Sequence, residues 1–144
     1  MTLFINVKKL HPEAIIPQYQ TEGAAGMDLC ALEPISIMPG RRALVRTGLA
    51  FAIPEGFEGQ IRPRSGSALR HGLTVLNSPG TVDSDYRGEI RVLLINVGQD
   101  PVAIKQGDRI AQIVFCPVAK AVLCPVDQLP DTKRGAGGFG STDG

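Results

Sequence analysis

Turn-forming residues punctuate this chain about every eight to twelve positions, and that spacing leaves room for little but short strands. Glu33-Pro34, Pro39-Gly40, Pro54-Glu55-Gly56, Ser78-Pro79-Gly80, Gln106-Gly107-Asp108 and Cys116-Pro117 each close one apolar run and open the next. With 17 glycines and 11 prolines in 144 residues, no twelve-residue window keeps a helical stripe free of both. Strands are expected at 3–7, 27–30, 35–38, 43–52, 57–62, 73–76, 89–97, 102–105, 109–116 and 121–123. In 43–52 the side chains of Val45, Thr47, Leu49 and Phe51 share one face at period two. Val92 to Ile95 is apolar on both faces, which predicts a central strand covered on both sides. The one short helix expected is 65–70, with Ser65 as N-cap and Gly72 as its stop. The pattern is that of an all-β sandwich or barrel, one domain in size.

Charge excludes some partners. Fifteen basic and fourteen acidic side chains leave a net charge of +1, so no global field draws the chain to nucleic acid or to an anionic membrane. No apolar stretch is long enough to span a bilayer, and residues 1–10 alternate as a strand does rather than as a signal peptide does. The expected location is cytoplasmic. Cys30, Cys116 and Cys124 are odd in number and lack metal-ligand spacing, so they are expected to be core thiols. From Asp131 onward the composition changes: five glycines and a single large apolar side chain, Phe139, cannot bury enough surface to fold unaided. The expected organisation is therefore a β domain over 1–130 and a Gly-rich arm over 131–144. Composition alone favours a frayed terminus with no role.

Four segments could carry chemistry. In 62–68, two arginines, two hydroxyls and Gly66 meet at the start of the short helix, whose free N–H groups suit phosphate oxygens. Read alone, this is also what an ordinary capped helix looks like. In 77–88, Asp83 and Asp85 lie two apart, so on an extended chain they point the same way, and Tyr86 follows at once. A polar turn with a packed tyrosine would read the same. In 107–112, Arg109 and Gln112 interrupt an apolar run; a buried glutamine there needs a partner, a ligand or the backbone. In 134–142, glycines can drape N–H groups around phosphate, while Phe139 can stack on a base.

In this order the segments resemble the trimeric dUTP pyrophosphatases (dUTPases), a family marked by five motifs. Motif one is similar to Ala25-Gly26-Met27-Asp28-Leu29-Cys30-Ala31, and motif two to Pro63-Arg64-Ser65-Gly66-Ser67-Ala68. Motif three is similar to Gly80-Thr81-Val82-Asp83-Ser84-Asp85-Tyr86-Arg87-Gly88 with Asn77 upstream, motif four to Gly107-Asp108-Arg109-Ile110-Ala111-Gln112, and motif five to Arg134 through Thr142. Asp143 departs from the family, where glycine often follows the hydroxyl pair. The resemblance implies a jelly-roll-like β-barrel, a homotrimer whose sites draw on more than one subunit, and a C-terminal arm that closes over a neighbour's nucleotide.

It implies hydrolysis of dUTP to dUMP and pyrophosphate with Mg²⁺. On that resemblance, Asp83 orients the water that attacks the α-phosphorus and holds the sugar 3′-hydroxyl. Positioning matters more there than proton affinity, because carboxylates are weak bases. Ser65 donates to the oxygen bridging the α- and β-phosphates, where charge grows as the bond breaks. Arg64, Gly66 and Gln112 hold phosphates. Arg134, Ser141 and Thr142 meet the γ-phosphate, with Gly140 in the closing loop and Phe139 on the base. Asp28 holds Mg²⁺ through water.

The amide of Asn77 can rotate to suit uracil or cytosine, so fixed backbone of the hairpin around Gly80 and Val82 is expected to read the base. The same backbone should refuse thymine's methyl group, and Tyr86, stacked under the sugar, should refuse a 2′-hydroxyl. Two other readings stay open from sequence: a dCTP deaminase relative, which would release ammonia from dCTP, and a nucleotide-binding regulator without catalysis.

Overall fold

The computed structural model describes residues 2–142. Eleven strands and one helix follow in order: β1 (Asn6–Lys9), β2 (Met27–Cys30), β3 (Ile35–Ile37), β4 (Arg42–Arg46), β5 (Leu49–Ala52), β6 (Phe57–Arg62), α1 (Ser65–His71), β7 (Leu73–Val75), β8 (Gly80–Val82), β9 (Arg91–Asn96), β10 (Val102–Ile104) and β11 (Arg109–Pro117). Every pairing is antiparallel, in sheets ordered β2-β11-β6-β8 and β4-β9-β7 with two-stranded pairs β1-β5 and β10-β3. The sheets enclose one apolar cluster in which Leu29, Leu49, Val92, Leu94 and Ile113 are wholly buried. No helix among the described residues is long and apolar enough to cross a membrane.

Several expectations change. The run at 43–52 is two strands, not one, because the chain turns at Thr47-Gly48. Gly48 has φ 73°, a region that a side chain would strain, and a Cβ there would press on Ala14. The predicted face survives the break: Val45, Thr47, Leu49 and Phe51 are all buried. The first strand begins at Asn6, later than position 3. Strand β9 is central in its sheet, but it is fully covered on one face only: Val92 and Leu94 are buried while Leu93 and Ile95 are half-buried.

Residues 121–123 form no strand. Val122 and Leu123 stand 87% and 89% exposed, with no strand partner among the described residues. Conversely, Gly80–Val82, expected as part of a loop, is β8 on the edge of the four-stranded sheet beside β6. The cysteines are not core thiols: Cys30 and Cys116 are half-buried and Cys124 is exposed.

The helix starts at Ser65 as expected and runs one residue further, to His71, but its cap is not the one expected. Arg64, extended at φ −93°, ψ 130°, is the N-cap and makes no side-chain capping bond, so Ser65 is the first helical residue. The Arg64 side chain is drawn away to Asp28 instead of capping the helix. Gly72 ends the helix as expected, at φ 64°. It sits so close to Gly98 that no side chain fits between the helix end and the turn after β9.

Candidate active site

Two clusters form from the chemistry-bearing segments. The first lies where β2, β11 and β6 run side by side, with Asp28 opposite Gln112 and Gln112 opposite Arg62. A register shift in β11 between Arg109 and Ala111 places Arg109 opposite Cys30, hence on the same sheet face as Asp28. Without that bulge Arg109 would face the other way.

The Arg64 Nε donates to Asp28 Oδ1 at 3.1 Å, and Arg109 Nη1 lies 3.6 Å from Asp28 Oδ2. Arg64 Nη1 also donates to the Arg109 carbonyl at 3.3 Å, and Gln112 Nε2 to the Pro63 carbonyl at 3.0 Å. The buried-glutamine question is thus answered by backbone. The Gln112 amide occupies the space beside Gly26, where a Cβ would strike its Oε1. From this network the chain leads straight into α1. Ser65, exposed and unused in capping, follows Arg64 directly, and Gly66 is covered by the Arg70 guanidinium.

Burial raises the Cys30 thiol above its ordinary value; Arg109 and Arg64 pull it down less strongly, and Asp28 adds to the rise. Among the described residues no three His, Cys, Asp or Glu side chains gather as a metal cage. Both Asp28 oxygens face guanidinium groups, so this carboxylate could reach a Mg²⁺ only through water, with the ion's direct ligands coming from phosphate and water.

The second cluster is a pocket of ≈ 240 Å³ at β8, which Asn77, Gly80, Val82, Asp83 and Tyr86 line together. Because β8 has a strand neighbour on one side only among the described residues, its other backbone edge faces outward. Gly80 packs against the Asn77 amide and Ile61. Contrary to the expectation from their spacing, Asp83 and Asp85 do not sit on an extended chain. The Tyr86 N–H donates to the Asp83 carbonyl at 3.2 Å, closing a turn between them. Tyr86, 42% exposed, folds back so that its hydroxyl donates to the Glu89 carbonyl at 2.8 Å, over a position that only Gly88 leaves open. Neither Arg64, Ser65, Gly66 nor Gln112 lines this pocket.

The C-terminal segment joins neither cluster within the chain. Arg134 Nε donates to the Gly137 carbonyl at 2.9 Å, and the Ser141 N–H to the Gly138 carbonyl at 3.1 Å. Phe139 is fully exposed, as are Gly140, Ser141 and Thr142. Asp143 lies outside the described residues.

The dUTPase family model matches residues 12–143, which spans both clusters and the arm. The chain belongs to the dUTPase family. It is 63% identical over 138 residues to a deoxyuridine 5′-triphosphate nucleotidohydrolase of Wolinella succinogenes, covering 96% of this chain and 93% of that one. A protein of the same name from Nautilia profundicola is 59% identical over 138 residues, covering 96% and 97%. Among solved structures, the Staphylococcus bacteriophage 80alpha dUTPase with dUPNHPP superposes with a TM-score of 0.91 at 26% identity, covering 97% of this chain and 98% of that one. The mostly β architecture with one short helix is thus the dUTPase fold.

Sequence reasoning missed three contributors to these dUTPase clusters: Glu89, Arg46 and Gly26. The close approach of Gly26 to the Gln112 side chain has no signature in one sequence. Glu89 and Arg46 lie 43 positions apart, joined only by the fold.

Proposed function

We propose that this chain hydrolyses dUTP to dUMP and pyrophosphate by in-line attack of water on the α-phosphorus, keeping uracil out of DNA and supplying dUMP for dTTP synthesis. The observation that carries the reading is the single pocket that gathers Asn77, Gly80, Val82, Asp83 and Tyr86. It supplies an amide, an outward backbone edge, a carboxylate and an aromatic ring, the groups needed to read a pyrimidine and its sugar. Backbone of β8 reads the uracil edge and leaves no room for a methyl group. Asp83 orders the water and the 3′-hydroxyl, and Tyr86 packs under the deoxyribose.

On the other side, Arg64, Gly66 and Gln112 receive phosphate oxygens, and the free hydroxyl of Ser65 donates to the bridging oxygen as charge builds there. Asp28 would hold Mg²⁺ through water; when bound, the ion neutralises triphosphate charge. Asp28 also fixes Arg64 in place.

The two clusters line separate pockets of one chain, which supports a homotrimer in which one copy's pocket meets another's arginines. The tail supports it too. Val122 and Leu123, together with the exposed Val126 and Leu129, lie along a stretch that forms no strand among the described residues. An apolar groove of ≈ 590 Å³ near Ile5, Ile16, Phe51 and Phe115 is of the character to receive such a stretch from a second copy. Residues 131–144 then serve as an arm over a neighbour's site: Arg134, Gly140, Ser141 and Thr142 close on the γ-phosphate, and Phe139 stacks on the base. A cytoplasmic enzyme needing no nucleic acid or membrane completes the reading.

The deciding experiment assays the common nucleoside triphosphates with the full chain and with a form ending at Leu129. Pyrophosphate from dUTP alone, and a truncated trimer that barely turns over, are expected. Ammonia from dCTP, or no turnover by the full chain, would sink the reading.

A further inference from the structure

Glu89 lies just beyond the turn that carries Asp83 and Tyr86, and its bonds all tie that turn to the body of the fold. Its side chain is only 17% exposed and borders the same pocket. Both carboxylate oxygens lie 3.1 Å from Arg46 Nε, and Oε2 also accepts the Gly48 N–H at 2.9 Å. Arg46 is held in turn by Glu33 at 3.5 Å. The Glu89 main-chain carbonyl accepts the Tyr86 hydroxyl. The turn itself is laced mainly to itself: Tyr86 N–H to Asp83, and Arg87 Nη1 to the carbonyls of Ser84 at 2.6 Å and Tyr86 at 3.1 Å. Of the side chains in 83–89, it is therefore that of Glu89 that fastens this segment to the corner between β4 and β5. The next residue, Ile90, adds backbone bonds to Thr47 and Leu49 at the same corner.

We propose that Glu89 is a positioning residue that sets selectivity for deoxyribose over ribose. Its carboxylate anchors the segment at the β4–β5 corner, and its carbonyl holds the Tyr86 ring at one height in the pocket. The inference rests on the nucleotide reading above. A ring that discriminates against one added hydroxyl must be fixed to a fraction of an ångström, because a ring free to retreat would admit it. Half-exposed Tyr86 has little packing of its own to supply that rigidity.

The test measures kcat and KM for dUTP and UTP in the full-length protein with E89A, E89Q and R46M. In E89A the ratio of kcat/KM for dUTP over UTP should fall by about tenfold, chiefly through a lower KM for UTP. In E89Q the side-chain oxygen still accepts the Gly48 N–H, so the ratio should stay within about threefold of wild type. If E89A does not fold, R46M replaces it, with a fall of about threefold expected because one of two anchors remains. An unchanged ratio in E89A, or in R46M standing in for it, would overturn the proposal whatever the absolute rates. So would an E89Q as impaired as E89A. Failure of the wild type to cleave dUTP would instead sink the nucleotide reading itself.

Discussion

Ser65 separates chemistry from stability at a single position. A serine placed as N-cap would contribute about 0.5–2 kcal/mol to the helix, but here Arg64 holds that place and the hydroxyl caps nothing. On the proposed mechanism that hydroxyl meets developing charge. Ser65→Ala should therefore lower kcat by roughly a hundredfold or more and leave the melting temperature where it was. A large drop in melting temperature would show that the hydroxyl is structural after all.

Cys30 gives a second residue-level expectation. Burial holds its thiol protonated beyond the ordinary range, despite two nearby guanidinium groups. Its folded value exceeds its unfolded one, so its contribution to stability is complete below the unfolded value and is lost as pH rises through the folded value. Alkylation by iodoacetamide at mildly alkaline pH, followed by mass spectrometry, should label exposed Cys124 first and Cys30 last. Labelling of Cys30 ahead of Cys124 would contradict the assigned burial.

At the scale of elements, Asn96 at the end of β9 pins the sheet. It is wholly buried, and its amide donates to the carbonyls of Ile37 at 2.9 Å and Asp100 at 2.8 Å while accepting the Gly98 N–H at 2.9 Å. Asn96→Ala strands all three groups. At about 1 kcal/mol each, the loss should be near 3 kcal/mol and lower the melting temperature by roughly 10 °C, read by thermal denaturation. A shift of only a degree or two would mean that water replaces the amide.

Strand positions were legible where apolar alternation met a turn dipeptide, as in 57–62 and 109–116. The break at Gly48 was not, since alternation runs through it and only the corner's packing against Ala14 and Ile90 reveals it. Nor was β8, whose three residues show no period and which exists because β6 offers it an edge. The opposite error at 121–123 has the converse cause: a strand-like sequence has no strand partner among the described residues. The pairing of Asp28 with Arg64 and Arg109 was equally hidden, because a β-bulge decides which way Arg109 points.

For the whole molecule, the pocket around Asp83 and the arginine-rich cluster beside Ser65 are separate pockets of one chain. If a working site joins the first from one copy to the second from its neighbour, two crippled proteins can cure each other. Asp83→Asn and Ser65→Ala, each nearly inactive alone, unfolded together and refolded as a mixture, should recover activity at ~1/4 of the sites, by random assembly in a head-to-tail ring. Heterozygous cells carrying both lesions would then be partly healthy, an outcome denied to any enzyme whose every site lies within a single polypeptide.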